Sequence, residues 1–189
     1  MANTFDLQSK LNRAIYALII RTGVGDSANT FAGEVSSQPR TLPNTTIEAG
    51  EGNEESSMGN FRFHGVITFR DDAILQPNQA NPQAPFIAAQ TRSSAIIEQL
   101  VLSDGSPEME VTRQNLNTYG RALAVDPSNG ATLALAQDAA ANADMVDFTA
   151  LYWRITDYGT TRRAGGEKEG VFFEREVAFE SLCCNSNVD

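Results

Sequence analysis

The segment Phe61 to Asp71 alternates without interruption, and this constrains the fold more than any other feature of the chain. Phe61, Phe63, Gly65, Ile67 and Phe69 share one face, and Arg62, His64, Thr68 and Arg70 share the other. Such a strand needs an apolar layer on one side and tolerates water on the other. Directly before it, Pro43 sets an extended entry into Asn44 to Ala49. Gly50 to Gly59 reads as a flexible acidic turn carrying Glu51, Glu54 and Glu55. The two segments predict a long hairpin.

A second hairpin is expected near the end. Met145 to Asp157 alternates, with Leu151, Trp153 and Ile155 on one face and Phe148, Ala150 and Tyr152 on the other. Val171, Phe173, Val177 and Phe179 then alternate against Glu174, Glu176 and Glu180. The charged, glycine-rich Gly159 to Gly170, with Arg162, Arg163 and Lys168, reads as the loop between them.

Two helices would supply the covering layer. Asn3 or Thr4 can cap a helix to Arg21 in which Leu7, Leu11, Ala14, Ile15, Leu18 and Ile19 form one stripe. Phe86 to Leu102 has no breaker and presents a broad apolar face suited to a sheet. Between them, Asp26 to Arg40 reads as a loop with a short extended piece near Phe31 to Val35. Gln76 to Pro85 is a proline-rich connector. In Ser106 to Ala140, the stretch Asn115 to Ala124 fits a helical turn or a strand, Asp126 to Gly130 is a turn, and Ala131 to Ala143 has helix propensity with little to bury. Helix, hairpin, helix, hairpin is an α+β order: a mainly antiparallel sheet built from two long hairpins, with helices packed on one face. At 189 residues this is one domain, 1 to 189, with long loops near 22 to 42, 50 to 60, 76 to 85 and 159 to 170.

Composition and motifs narrow the function. A net charge of −10 opposes a sequence-independent grip on nucleic-acid phosphates, which needs clustered Lys and Arg. No apolar run reaches the roughly 20 residues of a membrane helix, and the first ten residues lack signal-peptide order. The expectation is a protein made in a cytoplasm, without membrane contact. Cys183 and Cys184 are vicinal, which disfavours a bond between them and fits a reducing compartment, and they read as exposed or half-buried thiols near a frayed end.

Catalytic groups are scarce. The single histidine, His64, lies mid-strand on the polar face, where a surface role outweighs that of a general base. One histidine and two vicinal cysteines give none of the spacings of a zinc site. Glu48, Glu51, Glu54 and Glu55 could offer oxygen ligands to a hard cation but lack calcium-loop spacing, so solvated turns are the better reading. Gly23 and Gly25 follow a helix and lack the partners of a phosphate cradle. Tyr152 and Trp153 read as packing residues. No enzyme, cofactor, metal site or catalytic residue is expected. Long polar loops on a modest core, with open sheet edges, suit subunits that complete one another.

The stretch "LPNTTIEAGEGNEESSMGNFRFHGVITFRDDA", with the amphipathic helix before it and a helix and C-terminal hairpin after it, resembles the tail terminator (tail-completion) and head–tail joining proteins of long-tailed bacteriophages. The resemblance follows element order over about two thirds of the chain, and Ser106 to Ala140 is longer than the pattern. It implies a non-enzymatic virion protein of the tail or neck, assembled in the host cytoplasm. Such proteins form homohexameric rings that cap the tail tube protein and dock the head connector or neck protein, with DNA passing through the lumen without specific binding. It further implies that the loops carrying Glu51, Glu54 and Glu55, and Arg162 and Arg163, face a subunit interface or the lumen, where acidic groups repel phosphate. Alternatives are a tail tube or other neck subunit, an acidic metal- or ligand-binding domain at Glu48 to Glu55, and an adaptor that takes a partner by strand addition.

Overall fold

The computed structural model describes residues 4–25, 29–33, 41–56, 59–74, 80–105, 109–125, 139–166 and 170–186. Its element order is α1 (Thr4–Arg21), β1 (Thr30–Ala32), β2 (Asn44–Ala49), β3 (Asn53–Ser56), β4 (Asn60–Asp72), α2 (Ala84–Leu100), α3 (Glu110–Val125), α4 (Ala139–Ala143), a 3-10 turn (Asp144–Asp147), β5 (Phe148–Asp157), β6 (Arg162–Gly166) and β7 (Gly170–Asn185). The fold is α+β. Seven strands form one sheet ordered β1-β2-β4-β7-β5, with β3 also on β4 and β6 also on β7. Every pairing is antiparallel except β1 with β2.

Both expected hairpins are present, and each has a broken outer strand. β2 pairs the later part of β4 (Ala49 opposite Gly65), and β3 pairs its start (Asn53 opposite Arg62). In the same way β5 pairs the later part of β7 and β6 pairs its start (Arg162 opposite Glu174). The acidic turn and the glycine-rich loop are therefore not loops throughout: each contains a short strand, because the long partner strand continues past the break and offers backbone groups that the chain meets. At the second break Gly159 has φ +56°, and a Cβ there would stand 1.9 Å from the Glu176 carbonyl oxygen. Only glycine fits that approach.

The two hairpins join through β4 and β7, from Phe61 opposite Cys183 to Asp72 opposite Phe172. The order helix, broken strand, long strand thus occurs twice, as α1-β2-β3-β4 and α3-β5-β6-β7. A faint sequence echo accompanies it: Leu11-Asn12 and Ala17-Leu18 in α1 match Leu116-Asn117 and Ala122-Leu123 in α3.

The helices cover one face. All six stripe residues of α1 are fully buried, and so are Phe63, Ile67, Phe148, Trp153, Val177 and Cys183 in the same cluster. Trp153 stacks on Phe179 at 5.0 Å between centroids, and its indole N–H donates to the Leu100 carbonyl at 2.8 Å. Gly120 lets α3 approach α1, since a Cβ there would be 3.0 Å from that of Ala14. Burying an apolar side chain of this size contributes about 1.5–3 kcal/mol, and α1 with the inner face of β4 and β7 supplies a large share of the buried core.

Four expectations change. Residues 110 to 125 are a continuous helix, not a turn or strand. Met145 lies in the 3-10 turn, and a bulge between Ala150 and Tyr152 shifts the alternation of β5. Phe148, Ala150, Trp153 and Ile155 consequently face the core, while Leu151 is 42% exposed. Cys183 is fully buried rather than near a frayed end. Among the described residues the extended piece after α1 is Thr30–Ala32, and residues 34 and 35 of the expected stretch lie outside them. The Asn3 cap, most of the loop from 26 to 40, residues 76 to 79 of the connector, the Asp126 to Gly130 turn, the alanines from 131 to 138 and the loop tip with Lys168 lie outside the described residues.

Candidate functional site

The long helices lie on one side, and among the described residues no helix covers the other face of the sheet, to which β4 and β7 supply most side chains, joined by β3, β5 and β6. That face is ordered by arginines. Arg62 pairs with Glu55 of β3, Nη2 to Oε2 at 2.8 Å, and with Glu180 of β7, while its guanidinium lies 5.8 Å from the Tyr152 ring centroid. Nearer the other end, Arg70 donates to Glu174 at 2.8 Å and lies 5.5 Å from the Phe172 ring centroid. Arg162 of β6 reaches Glu174 at 3.1 Å and Glu176 at 3.2 Å. Hydrogen bonds from Arg62 hold the Glu55 carboxyl below the usual carboxylate range and raise the arginine in turn. Burial of Glu174 pushes its pKa upward, but the bonds from Arg70 and Arg162 outweigh that and the net shift is downward. A depression of about 290 Å³ opens on this face, lined by Val66, Asp157, Gly159, Arg162 and Glu176 among others.

The outer edge of β5 and the end of β2 beyond β1 are closed by side chains. Along the outer edge of β5 run Met109, Arg113, Asn117 and Arg121, each four residues after the last. Ile155 N–H donates to Met109 Sδ at 3.4 Å. Ala150 N–H donates to Asn117 Oδ1 at 2.6 Å, and its carbonyl accepts from Asn117 Nδ2 at 3.1 Å and Arg113 Nη1 at 2.9 Å. Arg121 Nε donates to the Phe148 carbonyl at 2.8 Å. The amide of Asn117 thereby imitates a neighbouring strand. At the opposite edge Asn12 does the same for Ala49 of β2: Ala49 N–H donates to Asn12 Oδ1 at 2.8 Å, and Gln8 Nε2 donates to the Ala49 carbonyl at 2.5 Å. Unpaired backbone groups on a sheet edge template association with other chains, and these helices remove them. The two asparagines occupy the same position of the Leu-Asn echo.

No family model matches the chain, and no curated protein matches its sequence. Its reading rests on its own geometry.

The expected interface residues fall at two diagonal corners. Glu51 precedes β3, Glu54 and Glu55 lie in it, and all three are exposed. Arg162 and Arg163 are exposed in β6. β3 lies beside residues 60 to 62 of β4, whereas β6 lies beside residues 170 to 174 of β7, opposite the far end of β4. Some ten residues of strand separate the corners, about 33 Å. Within one copy they cannot touch. Glu48 is exposed on β2, and no group of three or more His, Cys, Asp or Glu that could hold a metal ion exists among the described residues. His64 is exposed in β4. Burial pushes the Cys183 thiol up to about 12 and also raises that of Cys184. No helix among the described residues is long and apolar enough to cross a membrane.

Sequence reasoning missed the edge stoppers. Their signal is the four-residue spacing Met109, Arg113, Asn117, Arg121, which on its own reads as a solvated helix face.

Proposed function

We propose that this protein is a self-assembling structural subunit of a phage virion, a ring-forming tail terminator that caps the tail tube and joins it to the head connector. One observation carries the reading: the elements of the resemblance occur in their expected order in the fold, with β1, β3, α3 and α4 between them. A helix leads through Leu42-Pro43 into β2, Glu51 and the short strand β3 with Glu54 and Glu55 cross to β4, α2 and α3 follow, and the β5 to β7 hairpin comes last. The sheet face that no described helix covers, held by arginine–carboxylate pairs, supports it as a surface for neighbours. In this reading the acidic corner faces a neighbouring subunit or the DNA conduit, where carboxylates keep phosphates from adhering.

Native mass spectrometry across concentration, with electron microscopy of any large species, tests the proposal. A closed ring of six is expected. Open filaments would move the assignment to a tail tube subunit, and a monomer at every concentration, with no binding to isolated tail tubes, would overturn it.

A further inference from the structure

Closure of the long edges leaves the corners as the places where the sheet can grow. Side chains of α3 and its lead-in residue bond β5 at Phe148, Ala150 and Ile155, and β1 with Asn12 and Gln8 covers β2 from Thr45 to Ala49. β1 is three residues long, too short to direct an association. β3 and β6 differ from all of these. Among the described residues each has a single strand partner, β4 and β7 respectively, and an outer edge that no other strand takes. They are matched in length at four and five residues. Their described charged side chains are opposite in sign and all four are exposed: β3 offers Glu54, with Glu55 also bound to Arg62, and β6 offers Arg163, with Arg162 also bound to Glu174 and Glu176.

From this we infer that β3 of one copy pairs, edge to edge, with β6 of the next, placing the Glu54 and Glu55 pair against Arg162 and Arg163. The inference rests on the self-assembly proposed above and names the surfaces that carry it. Because β3 lies on the β2 side of the sheet and β6 on the β5 side, the contact is heterologous and the two sheets become one. Each copy enters displaced along the strands by the separation of its corners. A heterologous contact of this kind closes into a ring or runs on as a helix according to the rotation per copy. Strand addition supplies the backbone bonds, and the opposite charges select the partner edge, since each strand would face like charge on its own kind.

A charge exchange between two variants tests it. One variant carries Glu54→Arg and Glu55→Arg, and the other carries Arg162→Glu and Arg163→Glu. Circular dichroism and melting first establish that each is folded. Each alone should associate at least tenfold more weakly than the parent, since both of its corners then carry one sign. An equimolar mixture should restore the parent assembly with the two variants alternating, read by native mass spectrometry. In the parent assembly, amide exchange at residues 53 to 56 and 162 to 166 should slow relative to the dilute protein. Single variants that assemble like the parent, or a mixture that stays dissociated, overturn the corner pairing while leaving self-assembly standing. A parent that never assembles removes both. Should a variant fail to fold, the exchange measurement on the parent decides alone: unchanged exchange in both strands on assembly overturns the pairing.

Discussion

Arg92 of α2 is the point at which removal of one side chain should loosen the helix layer from the sheet. Its guanidinium donates to both carboxylate oxygens of Asp71, at 2.6 and 2.9 Å, to Thr45 Oγ1 at 2.9 Å, and to the carbonyls of Asn44 at 2.8 Å and Arg70 at 3.2 Å. It also lies 5.8 Å from the Phe69 ring centroid. One side chain therefore ties α2 to β2 and β4 at once. In Arg92→Met the stem is kept and the donors are lost, which isolates the polar contribution. Asp71, with only 12% of its side chain exposed, would then be left as an uncompensated charge. Breaking a buried pair in this way costs about 3–5 kcal/mol, and the 24% exposure of Arg92 places the expectation at the lower end, about 3 kcal/mol. For a chain of this length that lowers Tm by roughly 6–12 °C. Urea unfolding of the parent, Arg92→Met, Asp71→Asn and the double variant gives the coupling directly. The double variant should cost clearly less than the sum of the two single ones, since the stranded charge is gone. A loss below about 0.5 kcal/mol for Arg92→Met would refute the assignment of this pair as the anchor of α2.

Replacing Asn117 or Asn12 by Leu leaves the N–H of Ala150 or Ala49 unpaired, so each should cost about 1–3 kcal/mol in urea unfolding and increase light scattering on storage, because an edge is partly uncovered. Stability should fall on acidification. The pKa of Glu110 is lowered from its usual 4.5 to about 2 by bonds from Arg113, so its contribution is complete above the unfolded value and disappears as pH drops from about 4.5 to about 2. Glu174 and Glu55 are shifted in the same direction, and melting curves between pH 6 and 2 in glycine and citrate buffers read the sum; a flat profile would contradict it. Of the two cysteines, the half-buried Cys184 should react with a disulfide reagent in the native protein and the buried Cys183 only after unfolding, which mass analysis of the labelled peptides distinguishes.

The parts of the fold that buried oil on one side and met water on the other were legible from the sequence. β4 and α1 are of this kind, and their apolar positions recur at the expected period with no interruption. Where a polar residue works against backbone, the same reading fails. Asn12 is 4% exposed and Asn117 is half-buried, yet both have the composition of a surface position, and α3 looked indeterminate because its polar stripe lies on a strand edge instead of in water. The bulge at Leu151 was invisible because pattern alone cannot show that two residues oppose one. β3 and β6 were hidden for a related reason: short strands of Glu, Asn, Arg and Gly carry no apolar signal, and their pairing is dictated by the long strand beside them. The candidate surface divided along the same line. Its exposed charges could be named from sequence, whereas the separation of the two corners depends on the β4–β7 pairing, which no local signal encodes.

That central pairing also fixes when the molecule can exist. β4 ends at Asp72 and β7 begins at Gly170, and twelve residues of β4 have their partners in the later strand. A ribosome adding about 5–20 residues per second needs roughly 5–20 s to cross that interval. Throughout it, the inner edge of β4, with Phe61, Phe63, Ile67 and Phe69, is synthesised and without its neighbour. The first half of the chain must wait as a hairpin on one helix, exposed to every copy being made nearby. In the proposed assembly, pairing between copies is thereby separated in time from folding within one, because the sheet that carries both corners is complete only once the last strand has closed against the first long one.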